Sequence, residues 1–282
     1  MTERIAVVGA GRMGAGLGLA LTAQGVEVTH LVRSDRPAPP GAGLSIGEPA
    51  WGRAVRSARI VLIATPDAAI EGAASVLAGL GAVERAHVVL HLSGLHDRSV
   101  LAPLEPSGAA LGSLHPLQAV ADPATAERRL RGAYAGIEGD DRALHAAERL
   151  ASLAGMHPVR IPASAKPSYH AAAAITSNLT VALFATALRI ARDAGVPIDS
   201  VERMYLGLLR GTVENLSAGP AAALTGAIRR GDAETVRRHL AALRPEDAKL
   251  YRVLGRAALA VAREAGLAEA AAGDVEAALG DS

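Results

Sequence analysis

Three glycines near the start of the chain have the spacing of a phosphate-binding turn. The pattern G-x-G-x-x-G occupies residues 9–14, directly after the apolar run of residues 5–8. In such a pattern the first glycine allows a tight turn, the second lets a pyrophosphate approach the backbone, and the third lets helix and strand pack closely. The pyrophosphate lies at the positive end of the helix, on unsatisfied N–H groups. We therefore predict a dinucleotide site formed by Gly9, Ala10, Gly11, Arg12, Met13 and Gly14.

The end of the second predicted strand, residues 26–32, is where such a site distinguishes NAD from NADP. NAD-binding chains usually place Asp or Glu there, because a carboxylate accepts hydrogen bonds from the ribose 2′-hydroxyl. This chain places Arg33 and Ser34 there instead, and a guanidinium suits a 2′-phosphate. We expect NADP as the cofactor, with NAD as the alternative because Asp35 follows directly.

Short polar segments follow the next two predicted strands, residues 59–64 and 88–91. Thr65 and Pro66 come after the first strand, and Ser93 comes after the second. Loops at the carboxyl ends of parallel strands line the ligand crevice of such sheets. We predict that Thr65 and Pro66 contact the cofactor and that Ser93 orients the substrate or the nicotinamide. Ordinary turn chemistry is the alternative.

Two histidines are the candidates for proton transfer. His115 follows the strand predicted at residues 110–113, where a general acid or base can reach the crevice. His170 stands on a helix predicted at residues 167–194, and ideal helical geometry places Asn178 about 80° around the axis from it. Alanines next to His170 leave space for a ligand. His170, Ser177 and Asn178 are predicted to line one wall of a catalytic site, and the alternative is that Ser177 and Asn178 bond to neighbouring helices while His170 acts as a cap.

Lys166 is a further catalytic candidate. Pro167 is expected at the first helical position, so we place Lys166 before the helix and draw nothing from its spacing to His170. Lysine is a poor N-cap, and its occurrence here suggests another role.

The composition excludes several classes of site. The 282 residues contain no cysteine, which excludes disulfides, thiolate nucleophiles and Cys-ligated zinc or iron–sulfur centres. Lys and Arg number 29 against 28 Asp and Glu, and aromatic residues make up only 2%. Neither a basic field for nucleic-acid backbones nor a base-stacking platform is therefore expected. A small molecule, without a metal ion, is the expected ligand.

The order of predicted elements divides the chain in two. Strands alternate with helices up to residue 161, which indicates a mostly parallel sheet covered on both faces. Only helical patterns follow. We predict an α/β plus all-α fold, with a Rossmann-type dinucleotide-binding domain at residues 1–162 and a helical substrate and dimerisation domain at residues 163–282.

One stretch, residues 171–188, contains no charged side chain. It is barely long enough to span a membrane, carries several hydroxyl and amide groups, and has no aromatic belt at its ends. A fully buried central helix is therefore expected rather than a membrane span. The apolar run of residues 5–8 is too short for a signal-peptide core, so the cytoplasm is the expected compartment.

Several runs in the chain resemble known families. Residues 5–33 are similar to ketopantoate reductases, which share the glycine fingerprint, a second strand ending in Leu-x-Arg, and NADP use. The whole chain resembles a bacterial family of Rossmann-like proteins with a helical C-terminal domain of unassigned function, in which Ala227 is usually proline. The runs that carry this second resemblance are Gly112-Ser-Leu-His115-Pro116-Leu117-Gln118, Lys166-x-x-Tyr169-His170-Ala-Ala, Ser177-Asn178, Leu224-Thr225-Gly226, Arg230-Gly231-Asp232, Thr235-Val236 and His239-Leu240.

The resemblance implies a 6-phosphogluconate-dehydrogenase-like arrangement, in which homodimers form through the helical domain. It also adds weight to His115, His170 and Asn178 as site residues. The Ser93-Gly94 and His115-Pro116 pairs resemble the corresponding pairs of prephenate and arogenate dehydrogenases. In those families the histidine of the His-Pro pair interacts with a substrate hydroxyl.

These observations lead to one expected function and two alternatives. The expected function is an NADP(H)-dependent oxidoreductase that acts on a small keto acid, hydroxy acid or imine bound between the domains. A prephenate- or arogenate-type dehydrogenase is the first alternative. The second is a regulator that senses NADP without catalysis.

Overall fold

One sheet contains all eight strands that the structure describes. The computed structural model describes residues 3–33 and 42–280, and the strands lie in the first of two units, Met1–Leu179. Their order across the sheet is β3-β2-β1-β4-β5-β6-β7-β8. The strands are β1 (Arg4–Val8), β2 (Glu27–Val32), β3 (Gly43–Ile46), β4 (Ile60–Ile63), β5 (Val88–His91), β6 (Ala110–Pro116), β7 (Tyr134–Gly139) and β8 (His157–Arg160).

The strand order has a switch point between β1 and β4. From β1 the chain continues to β2 on one side, whereas β4 lies on the other. Neighbouring strands are parallel except for β6 and β7. Ligands of open α/β sheets bind beyond the carboxyl ends of the strands at such a point. The predicted Rossmann-type, mostly parallel sheet is confirmed.

Helices cover both faces of this sheet. Because successive strand side chains point to opposite faces, Ile5 and Val7 join one buried cluster while Ala6 and Val8 join the other. The first cluster includes Leu17 of α1, and the second includes residues of α2 and α3. The helices of this part are α1 (Arg12–Thr22), α2 (Glu48–Ser57), α3 (Ile70–Gly79), α4 (Ala126–Leu130) and α5 (Asp141–Leu153).

The remaining elements are helical. Within the second unit, Thr180–Ser282, Val236 and Leu259 belong to one small core and Leu188 and Val201 to another. The helical elements that follow β8 in the chain, of which the first two belong to the first unit, are α6 (Lys166–Ala174), a π-helical turn (Ile175–Leu179), α7 (Thr180–Asp193), α8 (Ile198–Asn215), α9 (Pro220–Ala223), α10 (Gly226–Arg230), α11 (Ala233–Ala242), α12 (Pro245–Glu264) and α13 (Glu269–Leu279).

The division between the two units falls later than the predicted domain boundary at residues 162 and 163. The first unit ends at Leu179, because α6 packs its first turns against the sheet. Tyr169 of α6 contacts His115 of β6, and Lys166 contacts Ser113 of the same strand. A helical pattern in the sequence therefore did not mark the start of the helical unit.

The expectation of a fully buried central helix is wrong for the single chain. The helical stretch Ala163–Asp193 is long and apolar enough to cross a membrane, because its most apolar 18-residue segment has a mean hydropathy of 1.6. Only 6% of that segment is buried, however. Ile175 is 61% exposed and Val181 is 69% exposed. Within the second unit, Leu188 and Ala191 of α7 join a small core with Val201. Hydropathy alone cannot tell whether a helix is covered by its own chain.

Candidate functional site

The glycine turn between β1 and α1 is shaped by close approach of the backbone. Gly9 has a φ of +104°, a backbone conformation that is unfavourable for residues with a side chain. A Cβ added to Gly9 would lie 2.8 Å from the carbonyl oxygen of Ala64, and one added to Gly14 would lie 2.7 Å from Ala64 Cβ. Both glycines therefore let β1, α1 and the end of β4 pack together, which is the role that the fingerprint assigns to them.

The N-terminus of α1 has no side-chain cap among the described residues. Its N-cap is Gly11, which has no side chain to accept a hydrogen bond, and no acidic residue occupies the first turn. A Cβ added to Gly11 would meet nothing within 4 Å, and Arg12 is exposed beside it. The helix dipole makes this end partially positive. A pyrophosphate would satisfy both the N–H groups and the dipole.

Thr65 fits the same ligand. It follows β4 at the switch point, next to Ala64, whose N–H donates to Val8 of β1. The Oγ1 of Thr65 is buried without a hydrogen-bond partner among the described residues. A buried hydroxyl in that state is costly, and a polar group of a bound dinucleotide would supply the partner. Pro66 is exposed directly after it.

The residues predicted to select NADP are only partly described. Arg33 lies exposed directly after β2, so its guanidinium is accessible at the carboxyl end of the strand. Ser34 and Asp35 lie outside the described residues.

Two histidine rings lie against Gly94 beyond the carboxyl end of β5. His91, the last residue of β5, is paired with Ser113, so β6 continues past it to His115. The rings of His115 and His170 have centroids 5.8 Å apart and are nearly perpendicular. A Cβ added to Gly94 would lie 2.7 Å from His115 Cε1 and 2.8 Å from His170 Cδ2. Glycine therefore makes room for both rings.

Tyr169 contacts the His115 ring through a hydrogen bond. The hydroxyl of Tyr169 lies 2.9 Å from His115 Nδ1. Burial lowers the pKa of His115 to about 4, and the charges of His170 and Lys166 act in the same direction. Burial also raises the pKa of Tyr169. At neutral pH the pair is an uncharged imidazole and a phenol, which share one hydrogen bond.

Lys166 is the first residue of α6, which corrects its predicted place before the helix. Ala165 is the N-cap, and the 3-10 turn Ala163–Ala165 leads into the helix. Proline lacks an N–H and is tolerated throughout the first turn, so Pro167 takes the second position rather than the first. The i, i+4 relation between Lys166 and His170 consequently holds.

The ammonium group of Lys166 is buried near the carboxyl end of β5. Its Nζ donates to Ser113 Oγ at 2.7 Å and to the Ser93 carbonyl at 3.2 Å. Burial lowers the pKa of Lys166 to about 8, although Glu138, Asp97 and Asp67 oppose that shift. The lysine therefore fixes the position of the Ser93 carbonyl through this hydrogen bond.

Four residues that surround Lys166, Ser93 and the two histidines beside Gly94 were not predicted as site residues. Ser113 and Glu138 are direct partners across the antiparallel strands β6 and β7, and burial raises the pKa of Glu138. Tyr169 and His91 complete the set, and His91 accepts a hydrogen bond from the Ser93 N–H. A carboxylate inside an apolar strand pattern was the one available signal, because a buried charge requires partners.

The structure does not support the helical geometry used for Asn178. This residue is exposed in the π-helical turn Ile175–Leu179, where the spacing of an ideal α-helix does not apply. Ser93 is buried, and its Oγ accepts from the N–H groups of Leu95 and His96. That is the ordinary turn chemistry considered as its alternative.

Comparisons with known proteins bear on the fold. Residues 133–258 match a domain of unknown function (DUF2520). That match covers less than half of the chain. The search of curated proteins found no match.

Solved structures with the same architecture span nearly the whole chain. Protein TM1727 from Thermotoga maritima is 25% identical, with a TM-score of 0.69 over 92% of this chain and 98% of that chain. BF3122 from Bacteroides fragilis, provisionally described as an NADP oxidoreductase, is 20% identical, with a TM-score of 0.71 over 91% and 98%. Pyrroline carboxylate reductase from Plasmodium falciparum, with NADP bound, is 10% identical, with a TM-score of 0.60 over 98% of each chain.

Proposed function

We propose that this chain is an NADP(H)-dependent oxidoreductase that transfers a hydride to or from a small keto acid, hydroxy acid or imine. The observation that carries the proposal is the uncapped N-terminus of α1, which opens at the switch point of a parallel sheet. BF3122 is provisionally described as an NADP oxidoreductase, and the Plasmodium reductase binds NADP. Both descriptions support the proposed class of cofactor.

The proposed cofactor residues are those of the glycine turn, together with Thr65, Pro66, Arg33 and Ser34. Backbone N–H groups of residues 9–14 would hold the pyrophosphate, and Thr65 Oγ1 would bond to a polar group of the dinucleotide. Arg33 and Ser34 would hold a 2′-phosphate. When bound, NADP supplies or accepts the hydride. NAD is the alternative cofactor.

The accompanying proton would pass through the histidine pair beside Gly94. Burial lowers the pKa of His115 to about 4, so at neutral pH this ring is uncharged and is not the acid that protonates a carbonyl or imine. We therefore assign proton donation during reduction to His170 and assign to His115, hydrogen-bonded to Tyr169, the orientation of the carbonyl or imine. An imidazole ring can serve as a general acid, and an uncharged one can orient a substrate through a hydrogen bond.

Lys166, Ser93 and Asn178 would support this chemistry rather than perform it. The positive charge of Lys166 helps to keep His115 uncharged. Its hydrogen bond to the Ser93 carbonyl fixes the backbone next to Gly94, which the His115 and His170 rings contact. Asn178 is proposed to orient the substrate. The likeness to ketopantoate reductases stays a hypothesis about ancestry.

The test begins with fluorescence titrations of NADPH and NADH. A library of carbonyl compounds and imines, including prephenate, is then followed at the nicotinamide absorbance. His170→Ala should lower turnover about 10²–10⁴-fold, whereas His145→Ala, which removes an exposed histidine on α5, should not. If neither nucleotide binds, the proposed function is wrong. Binding without hydride transfer would favour the regulator, and turnover of prephenate would favour the prephenate dehydrogenase class.

We also propose that two copies of the chain associate through α7 and α8. Val181 of α7 and Ile198, Met204 and Leu208 of α8 are each more than half exposed. An isologous dimer buries the same apolar surface on both copies. The proposed compartment is the cytoplasm.

Light scattering after size exclusion measures the association. Leu208→Arg should convert the dimer to a monomer, whereas Arg203→Leu on the same helix should leave it dimeric. A monomeric wild type would overturn the proposal, and flotation of the chain with lipid vesicles would favour a membrane surface instead.

A further inference from the structure

His30 of β2 is a buried histidine that directly contacts the glycine turn. Its Nδ1 lies 2.9 Å from the carbonyl oxygen of Gly9, and the residue is completely buried. A carbonyl oxygen can only accept a hydrogen bond, so Nδ1 carries the proton and donates. The next residue of β2, Leu31, accepts a hydrogen bond from the Gly9 N–H at 2.9 Å. Both polar groups of the Gly9 backbone are thus bound to β2.

The bond to His30 determines the orientation of the peptide that follows Gly9. A trans peptide is planar, and its C=O and N–H groups point in opposite directions. Because the Gly9 carbonyl points at His30, the N–H of Ala10 points away from that ring. Ala10 is the second residue of the glycine turn and is partly exposed. Its N–H is one of the backbone donors available to a pyrophosphate at this turn.

A histidine is a costly residue at this position unless it has such a role. Since Nδ1 carries the proton, the uncharged ring leaves Nε2 as an acceptor, and Nε2 is buried without a partner among the described residues. An unsatisfied buried nitrogen destabilises the fold. The ring also requires glycine on α1, because a Cβ added to Gly18 would lie 2.7 Å from His30 Nε2. An aliphatic side chain would fill the same space without the unsatisfied nitrogen.

We infer that His30 is a positioning residue for dinucleotide binding, which holds the Gly9–Ala10 peptide with its N–H turned toward the pyrophosphate. The inference rests on the proposed function for the identity of the ligand, and on the hydrogen bond itself for the orientation. Because His30 is completely buried, it would not touch the ligand. It acts through the backbone of the turn.

Three variants separate this role from a structural one. His30→Leu removes the donor and fills the space with carbon. His30→Asn places an amide N–H near the position of Nδ1 and keeps a donor. His87→Leu is the matched control, because His87 is also buried and its Nε2 also donates to a backbone carbonyl, that of Val55. His87 directly precedes β5, whereas the glycine turn follows β1 at the carboxyl end of its strand.

The first measurement is the Kd for NADPH and NADH, together with the melting temperature of each variant. His30→Leu should weaken nucleotide binding about 3- to 10-fold, as expected for one lost positioning hydrogen bond, while its melting temperature is unchanged or higher. His30→Asn should recover most of the affinity, and His87→Leu should leave the Kd unchanged. An unchanged Kd in His30→Leu, or an equal loss in His87→Leu, would overturn the inference.

The second measurement needs no nucleotide, so it separates this inference from the proposed function. Hydrogen exchange of peptides that contain residues 9–14 is compared in the ligand-free wild type, His30→Leu and His87→Leu. Faster exchange of this segment in His30→Leu alone supports the orientation role, even if the wild type binds neither nucleotide. Equal exchange in all three proteins would exclude it.

Discussion

The ammonium group of Lys166 lies 2.7 Å from the hydroxyl of Ser113, in a position where only 2% of the lysine is exposed. The two residues are far apart in sequence, and the contact joins the first turn of α6 to β6. Burying a charge is costly unless it is paired or hydrogen-bonded. The sheet provides both the Ser113 hydroxyl and the Ser93 carbonyl for this purpose.

Replacement of Lys166 should change how stability depends on pH. The pKa of this lysine falls from 10.5 to about 8 in the folded chain, so between these values the unfolded chain binds more protons. The free energy of unfolding of the wild type therefore gains a contribution that rises from pH 8 to pH 10.5 and is absent below pH 8. Lys166→Met should lack this rise, as measured by urea unfolding across the range.

Lys249 provides the control for that experiment, because the chain contains only these two lysines and Lys249 is exposed on α12. Lys249→Met should reproduce the wild-type slope. If Lys166→Met reproduces it as well, the lysine is not buried as described.

Tyr169→Phe should lower turnover while cofactor affinity is kept. The substitution leaves Nδ1 of the partly buried His115 ring without its partner at 2.9 Å, so the ring loses its orientation. We expect kcat to fall about 10-fold and the free energy of unfolding to fall by about 1–3 kcal/mol. Tyr134→Phe is the control, since Tyr134 is 57% exposed. A Tyr169→Phe enzyme with wild-type kcat would remove Tyr169 from the proposed mechanism.

Gly94→Ala should disrupt the histidine pair through one added methyl group. That group would lie 2.7 Å from His115 and 2.8 Å from His170, so at least one ring must move. Turnover should fall at least about 10-fold, because misplaced general acids lose most of their effect. Gly72→Ala on α3 meets nothing within 4 Å and should be neutral or stabilise by up to about 1 kcal/mol. Equal kcat values for both variants would contradict the geometry.

Arg33→Leu should change cofactor preference. Loss of the guanidinium should weaken NADPH binding about 10-fold or more, because hydrogen bonds to charged groups contribute about 1.5–3 kcal/mol. NADH lacks the 2′-phosphate, so its Kd should stay the same. Arg59→Leu removes an exposed arginine before β4 and serves as the control. An equal effect on both nucleotides would show that Arg33 does not read the 2′-phosphate.

The fold could be predicted because its signals are local. The apolar runs of β1, β4 and β5 are nearly all buried, and their alternation with helical segments indicated a parallel sheet. β3 (Gly43–Ile46) was missed because the glycine at its start and the serine within it interrupt the apolar run. The exposure of Val181 could not be predicted, since hydropathy reports how apolar a helix is and not what packs against it.

Of the site, the glycine turn and the histidines were predicted, whereas most of their partners were not. Gly9 and Gly14 follow a pattern whose residues are neighbours along the chain. Tyr169, Glu138 and His30 contribute through contacts with residues far away in sequence, and no short spacing encodes such contacts.

The sequence by itself determined the class of sheet, the glycine turn that follows β1 and the absence of thiol chemistry, because these depend on residue type and local period. Only the tertiary structure decided which groups share the space beside Gly94 and how each is charged. The pKa of Lys166 and that of His115 both depend on burial, and burial results from packing between α6 and the sheet. Desolvation is a property of the folded surroundings, so the charge state of a catalytic group follows from the fold and not from its neighbours in sequence.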